Sequence, residues 1–231
     1  MATIKMKIDG RQVDLEKGSF VLDGARALGI HIPTLCHYPY MAPYAACRIC
    51  AVEARDGKGW SKIVTACNYP VWDGLEIHTS TPQAVSTRRV NLEMLMSRCA
   101  PIPLLQRLAE EFGIDKPRWG TGKDTCILCG LCVRVCDEVV GAHALAFVDR
   151  GIFRTVATAF WEGSDDCILC GACASVCPTG HIKMDEIQNR TIVHSEISLG
   201  SNSAISLSFR QAVPNVPFID PQKCIHFNTG E

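Results

Sequence analysis

At 231 residues the chain exceeds one average domain, so two or three small modules are expected rather than one large core. Hydrophobic residues make up 47% and charged residues 20%, with a net charge of -1. Those values exclude a disordered chain and a basic nucleic-acid-binding face, which makes a polyanionic partner a poor fit.

The chain opens on Thr3 to Glu16, where Ile4, Met6 and Ile8 and then Val13 and Leu15 alternate with polar residues around Asp9-Gly10. This predicts a β-hairpin. Ser19 is placed to cap a short helix carrying Val21, Ala25 and Leu28 on one face, with Gly29 ending it. A hairpin followed by such a helix is how a β-grasp domain begins. Lys62 to Ala66 and Leu75 to Thr79, separated by Pro70 and Asp73-Gly74, are short strands that would close its sheet. From Pro82 the period becomes helical: Val85, Leu92, Leu95, Met96 and Cys99 share a face. After Pro101 and Pro103, the residues Leu104, Leu105, Leu108 and Phe112 form a second apolar stripe. Both stripes read as packing faces rather than as a cofactor box. Residues 114–124 read as a connector. Its Gly120-Thr-Gly-Lys123 lacks the leading glycine and the following Ser or Thr of a phosphate loop.

No apolar stretch approaches the roughly 20 residues of a membrane-spanning helix. The first residues, Met1-Ala-Thr-Ile-Lys-Met-Lys, have neither the apolar core nor the cleavage site of a secretory signal. A cytoplasmic protein is expected. Its fourteen cysteines therefore cannot be a disulfide framework, because the cytosol keeps thiols reduced. Twelve of them fall into regular groups, which is the mark of metal ligands rather than of core thiols.

The first group is Cys36-x10-Cys47-x2-Cys50-x16-Cys67. A loop could bring three of these thiolates, and a following strand the fourth, to one side of a two-iron, two-sulfide core. Structural zinc has the same ligand count but prefers two close pairs, and only Cys47 and Cys50 are close here. Cys36, Cys47, Cys50 and Cys67 are thus expected to hold a 2Fe-2S cluster.

The next two groups are an internal repeat, Cys126-x2-Cys129-x2-Cys132-x3-Cys136 and Cys167-x2-Cys170-x2-Cys173-x3-Cys177-Pro178, each beginning Cys-Ile-Leu-Cys-Gly. Three cysteines at this spacing wrap one corner of a cubane while the fourth, carried onto a helix, points to the other cluster. Cys126, Cys129, Cys132 and Cys177 should hold one 4Fe-4S cluster, and Cys136, Cys167, Cys170 and Cys173 the second. Gly130 and Gly171 would let backbone approach the clusters. Of the two remaining cysteines, Cys99 falls on a helical apolar stripe and reads as a core thiol. Cys224, followed by His226, is a candidate contact to a further redox site.

The fold class expected is α+β, with a β-grasp 2Fe-2S ferredoxin domain over 1–80, a helical connector over 81–122, a double 4Fe-4S ferredoxin-like domain over 123–186 and an extended tail over 187–231. With those groups in place, residues 1–185 resemble the N-terminal part of the complex I G subunit, the diaphorase U subunit of NAD-reducing hydrogenases and the accessory region of iron-only hydrogenases. The resemblance rests on Ile32-Pro-Thr-Leu-Cys36, Cys47-Arg-Ile-Cys50, Cys132-Val-Arg-Val-Cys136-Asp-Glu-Val-Val-Gly141 and Val176-Cys-Pro-Thr-Gly180. It implies a wire of clusters carrying electrons to or from a flavin subunit that oxidises NADH. Those families usually place a further cluster, held by one histidine and three cysteines, before the double ferredoxin. Residues 92–113 contain only Cys99 and no histidine, so that cluster is expected to be missing. The catalytic motifs of iron-only hydrogenases are also missing from the sequence.

Gln211-Ala-Val-Pro-Asn-Val216 and Ile219-Asp-Pro-Gln-Lys-Cys224-Ile-His-Phe-Asn-Thr-Gly230 are similar to a segment of heterodisulfide reductase A subunits. The expected function is single-electron relay in a cytoplasmic oxidoreductase complex, with no catalytic centre on this chain. Its partners would be a flavin subunit handling NAD(P)H and a catalytic subunit of hydrogenase, formate dehydrogenase or heterodisulfide reductase type. The rival is the electron-input segment of a heterodisulfide-reductase-like or flavin-bifurcating enzyme. A zinc-stabilised scaffold is the non-redox alternative.

Overall fold

A computed structural model describes residues 3–183 and, in the tail, the backbone of Ile205–Leu207 and Pro217–Ile219. The chain divides into two compact units between Cys129 and Gly130.

The first unit starts with the hairpin, β1 (Thr3–Ile8) and β2 (Arg11–Glu16), in antiparallel register Met6↔Val13 and Ile4↔Leu15. Asp9 and Gly10 both adopt positive φ, 47° and 80°, the backbone a two-residue hairpin turn demands. Asp9 also accepts hydrogen bonds from the Thr79 amide at 2.8 Å and hydroxyl at 2.6 Å, fastening the turn to the chain beyond the sheet. The helix α1 (Val21–Ala27) follows. Its cap is not Ser19: Phe20 is the N-cap residue, and its amide donates to Asp23 at 2.8 Å, the reciprocal half of a capping pair.

Three more strands complete a five-stranded mixed sheet in the order β2-β1-β5-β3-β4: β3 (Ala51–Arg55), β4 (Ser61–Thr65) and β5 (Glu76–His78). Only β1 and β5 run parallel, through Lys7↔Glu76 and Ile8↔Ile77. Met6, Ile8, Leu22, Leu75 and Ile77 are buried almost completely between the sheet and α1. Each such side chain contributes about 1.5–3 kcal/mol relative to exposure, enough to hold a small sheet in register. β3 has no alternating pattern, because Ala51, Val52, Glu53 and Ala54 are all buried.

Thr81 caps α2 (Pro82–Arg98) by accepting from the Ala84 amide at 3.3 Å, with Pro82 pre-set for the first turn. The buried face of α2 carries Ala84, Arg88, Leu92, Glu93 and Met96. Val85, expected on that face, is exposed. After Pro101 the chain re-enters a helix, α3 (Pro103–Glu111), burying Leu105, Leu108 and Ala109. The connector is pinned from both sides. Arg118 Nε donates to Glu93 of α2 at 2.8 Å, and the Gly122 amide donates to the Met96 carbonyl at 3.0 Å. A Cβ on Gly122 would lie 1.8 Å from the Arg98 carbonyl oxygen, so this glycine answers a close backbone approach and has no phosphate to cradle.

In the second unit α4 (Leu131–Arg134) runs straight into a π-helical turn, Val135–Val140, that ends at Gly141. A short ribbon of β6 (Ala146–Val148) and β7 (Thr155–Ala157) follows, then α5 (Ala172–Ser175). In the tail, β8 (Ile205–Leu207) pairs antiparallel with β9 (Pro217–Ile219). The rest of the expected tail, including Cys224, lies outside the described residues. No helix among the described residues is long and apolar enough to cross a membrane.

Candidate metal centre

The 30–50 loop between α1 and β3 delivers Cys36, Cys47 and Cys50, and the turn just past β4 delivers Cys67, so the fourth thiol comes from a turn and not from the strand itself. All four are buried, each at most 8% exposed. They converge: Cys36 and Cys47 are within side-chain hydrogen-bonding reach, as are Cys50 and Cys67, and the second pair feels the charge of Cys36. The bond from Cys47 pulls Cys36 down to about 6 against the opposing effect of burial. Cys47 is pushed up by the same bond and by burial. Cys50 is likewise pulled down by its bond to Cys67, and Cys67 pushed up. Four thiols this close cannot all ionise by themselves; they need a cationic core between them, which is the condition a 2Fe-2S cluster meets. The Cys47 amide already donates to Cys36 Sγ at 3.4 Å, the kind of bond that stabilises a bound thiolate. In the same loop Ala45 and Arg48 both take the left-handed conformation, at φ 57° and 55°.

The repeat in sequence is a repeat in backbone. Leu128 and Leu169 both take the left-handed conformation, at φ 52° and 55°, as do Gly130 and Gly171 at 76° and 75°. Each glycine then caps a one-turn helix, α4 or α5, which carries the third cysteine of its copy, Cys132 or Cys173. The two leucines are strained for a side chain of that size, and each stands directly before the second cysteine of its copy. The turn brings the Leu128 amide to within 3.4 Å of Cys126 Sγ. The fourth cysteines differ. Cys136 sits inside the π-helical turn, whereas Cys177 lies in a turn beyond α5, so only one of the two is carried on a helix as expected.

Cys136, Cys167, Cys170 and Cys173 line one cavity of about 340 Å³. Its walls are otherwise largely apolar, with Val140, Leu145, Val156 and Ile182 among them. The cavity therefore takes its sulfurs from both copies of the repeat. The four residues of the complementary set are divided: Cys126 and Cys129 close the first unit, and Cys132 and Cys177 belong to the second. Burial alone would raise Cys177, but the Ile182 amide, the Thr179 hydroxyl and the amides of Thr179 and His181 outweigh it and hold the thiol below its usual range. Donors of this kind favour the thiolate over the thiol. Among the described residues no three His, Cys, Asp or Glu side chains form a group for a single metal ion. Cluster ligands need no such group, since each iron takes two thiolates in a two-iron core and one in a cubane.

Cys99 is fully buried at the end of α2, and its thiol donates to the Cys126 carbonyl at 3.5 Å. Burial pushes it up to about 11, leaving a protonated thiol at neutral pH. Arg88, buried beside the first group, escaped the sequence reading. Its only signal was a basic residue where α2 should be apolar.

Residues 1–82 match the family described as 2Fe-2S iron-sulfur cluster binding domain. The family described as 4Fe-4S dicluster domain matches twice, at 125–181 and at 166–229. The chain is 35% identical to the G 2 subunit of NADH-quinone oxidoreductase from Rhizobium meliloti, a match over 68% of this chain and 21% of that protein. It is 33% identical to the alpha subunit of NADPH-Fe(3+) oxidoreductase from Geobacter sulfurreducens, over 64% and 20%. Against the HndD subunit of the NADP-reducing hydrogenase of Solidesulfovibrio fructosivorans the figures are 34%, 69% and 32%. The chain thus spans about a fifth to a third of the length of these curated relatives. Among solved structures, a chain from the crystal structure of NAD+-reducing [NiFe]-hydrogenase in the H2-reduced state superposes with a TM-score of 0.66 at 29% identity, over 78% of this chain and 86% of that one.

Proposed function

The chain is an iron-sulfur segment akin to the G subunit of complex I and to subunits of NADPH-Fe(3+) oxidoreductase and hydrogenases, and from that premise we propose that it relays single electrons between a flavin subunit handling NAD(P)H and a partner catalytic subunit. Its two domain types imply one 2Fe-2S and two 4Fe-4S clusters. Bound clusters supply one-electron exchange with little rearrangement. Everything else falls to the residues. In this reading Cys36, Cys47, Cys50 and Cys67 hold the two-iron centre. Cys126, Cys129, Cys132 and Cys177 hold one cubane, and Cys136, Cys167, Cys170 and Cys173 the other. Burial keeps water from the four sulfurs of the two-iron set, and the amides of Cys47 and Leu128 donate to Cys36 and Cys126.

The observation that supports the reading most is the cavity shared by Cys136 and the cysteines of the second repeat. Two adjacent cubanes exchange their fourth ligand in this way. The relay would work in the cytoplasm, where reduced thiols are maintained. With reconstituted protein under anaerobic conditions, NAD(P)H alone is expected to leave the visible cluster absorbance unchanged. Bleaching should begin when the NAD(P)H-oxidising flavoprotein that co-purifies from the native host is added. Direct bleaching by NAD(P)H, or none with the flavoprotein present, would contradict the relay.

A second reading is favoured by one finding. The dicluster family also matches residues 166–229, which joins the second repeat to the segment bearing Cys224. That placement suits the input segment of a heterodisulfide-reductase-like or flavin-bifurcating enzyme, with Cys224 near a further redox centre. Flavin, or iron well above that of three clusters, in the polypeptide isolated from its host would favour this second reading.

A further inference from the structure

Arg88 occupies the middle of the buried stripe Ala84, Arg88, Leu92 and Met96 on α2. It is 8% exposed. A charged residue in that setting is held there by a specific partner or is costly, because an uncompensated buried charge is among the most destabilising features a fold can carry. Its Nε donates to the Ala51 carbonyl at 2.7 Å, and Ala51 is the residue that follows Cys50. Its Nη2 is buried and has no hydrogen-bond partner. The anionic groups in electrostatic range are Cys50 foremost, then Glu111 and Asp9, and none of them forms an ion pair with it. Arginine stays protonated in proteins, so a full positive charge is fixed at this place. An apo fold leaves that charge half-answered. A two-iron cluster on Cys50 and its three companions answers it: two ferric irons, two sulfides and four thiolates sum to a dianion, and one added electron makes a trianion.

We propose that Arg88 is the built-in counter-charge of the 2Fe-2S cluster: its guanidinium, hydrogen-bonded beside Cys50 and otherwise unpaired, favours the reduced over the oxidised cluster and so raises its reduction potential. The inference rests on the reading of Cys50 as a cluster ligand. The reaction it biases is the gain of one electron by the oxidised cluster, with no proton or bond exchanged at Arg88. Arg88 acts through charge and is a tuning residue. By tying α2 to the first residue of β3, it also makes the connector helix part of the setting that fixes the potential.

The test is a redox titration of the reconstituted full chain, with dithionite as reductant and electron paramagnetic resonance as the readout, on wild type, Arg88→Gln and Arg88→Lys. R88Q is expected to shift the one-electron equilibrium of the 2Fe-2S cluster toward the oxidised form about tenfold, a fall of about 59 mV. Both 4Fe-4S midpoints should stay put. R88K, which keeps the charge, should stay near the wild-type value. Should R88Q lose the cluster, R88K decides: a retained cluster near the wild-type potential supports the counter-charge. Loss of the cluster in both variants, an R88K shift as large as that expected for R88Q, or an unmoved R88Q midpoint would overturn it. A wild-type protein without any 2Fe-2S signal would instead remove the ligand reading beneath the proposal, so the two failures are distinguishable.

Discussion

Replacing Cys136 with serine will empty the 4Fe-4S site formed by Cys167, Cys170 and Cys173, while the cluster of Cys126, Cys129 and Cys132, its nearer neighbours in sequence, persists. The cause is the π-helical turn Val135–Val140, which places Cys136 on the cavity that the second copy of the repeat lines. A turn of wider pitch lets one residue face a direction that a regular helix would deny it. The amides of Ala142 and His143 fold back onto the Cys136 carbonyl, at 3.0 and 3.4 Å, and hold the turn in that shape. The expected readout is a loss of about four irons of about ten, with one of two cubane signals gone. Alanine at the same position should act at least as strongly, since serine can still offer a weak oxygen ligand. Loss of the cluster at Cys126, Cys129 and Cys132 in place of the other would reverse the assignment.

Replacing Cys67 with serine will remove the 2Fe-2S signal and about two irons, and leave the roughly eight irons of the cubanes in place. Cys67 supplies the partner sulfur of Cys50 from the turn past β4, where no other cysteine stands near in sequence. Cys99→Ala is the matched control. Its thiol is buried, protonated and bonded to the Cys126 carbonyl, and it should keep all of the iron. Iron loss in the Cys99 variant comparable to that of the Cys67 variant would make Cys99 a ligand and would require a fourth cluster site.

What the sequence made legible is what is local. Cysteine groups announce ligands because cluster chemistry fixes their spacing over a few residues. The hairpin announces itself through alternation around Asp9-Gly10. The parallel pairing of β1 with β5 joins residues nearly seventy apart through two pairs, Lys7↔Glu76 and Ile8↔Ile77, and no local pattern encodes it. β3 went unseen because it is buried on both faces, and alternation therefore vanishes. Ser19 looked like the cap, but Asp23 supplies the capping carboxylate and moves the N-cap one residue on, to Phe20. At the metal centre the sequence named thiols and not their surroundings. Arg88 falls on the apolar stripe of α2 in sequence, but only its packing against Ala51 reveals a buried charge beside Cys50. The expected crossover of Cys136 is read from the repeat, whereas the π-helical turn that sets Cys136 on the cavity of the second copy has no sequence signature of its own.

A set of three clusters, one of two irons and two of four, is implied by the two domain types of this chain. Its most direct test is iron and labile-sulfide analysis of the anaerobically reconstituted chain, with Mössbauer spectra on isotopically enriched iron. A plateau of about ten irons and ten sulfides per chain is expected, with roughly one fifth of the iron in two-iron centres. Zinc in place of sulfide-bridged iron, or a plateau near fourteen irons, would contradict it.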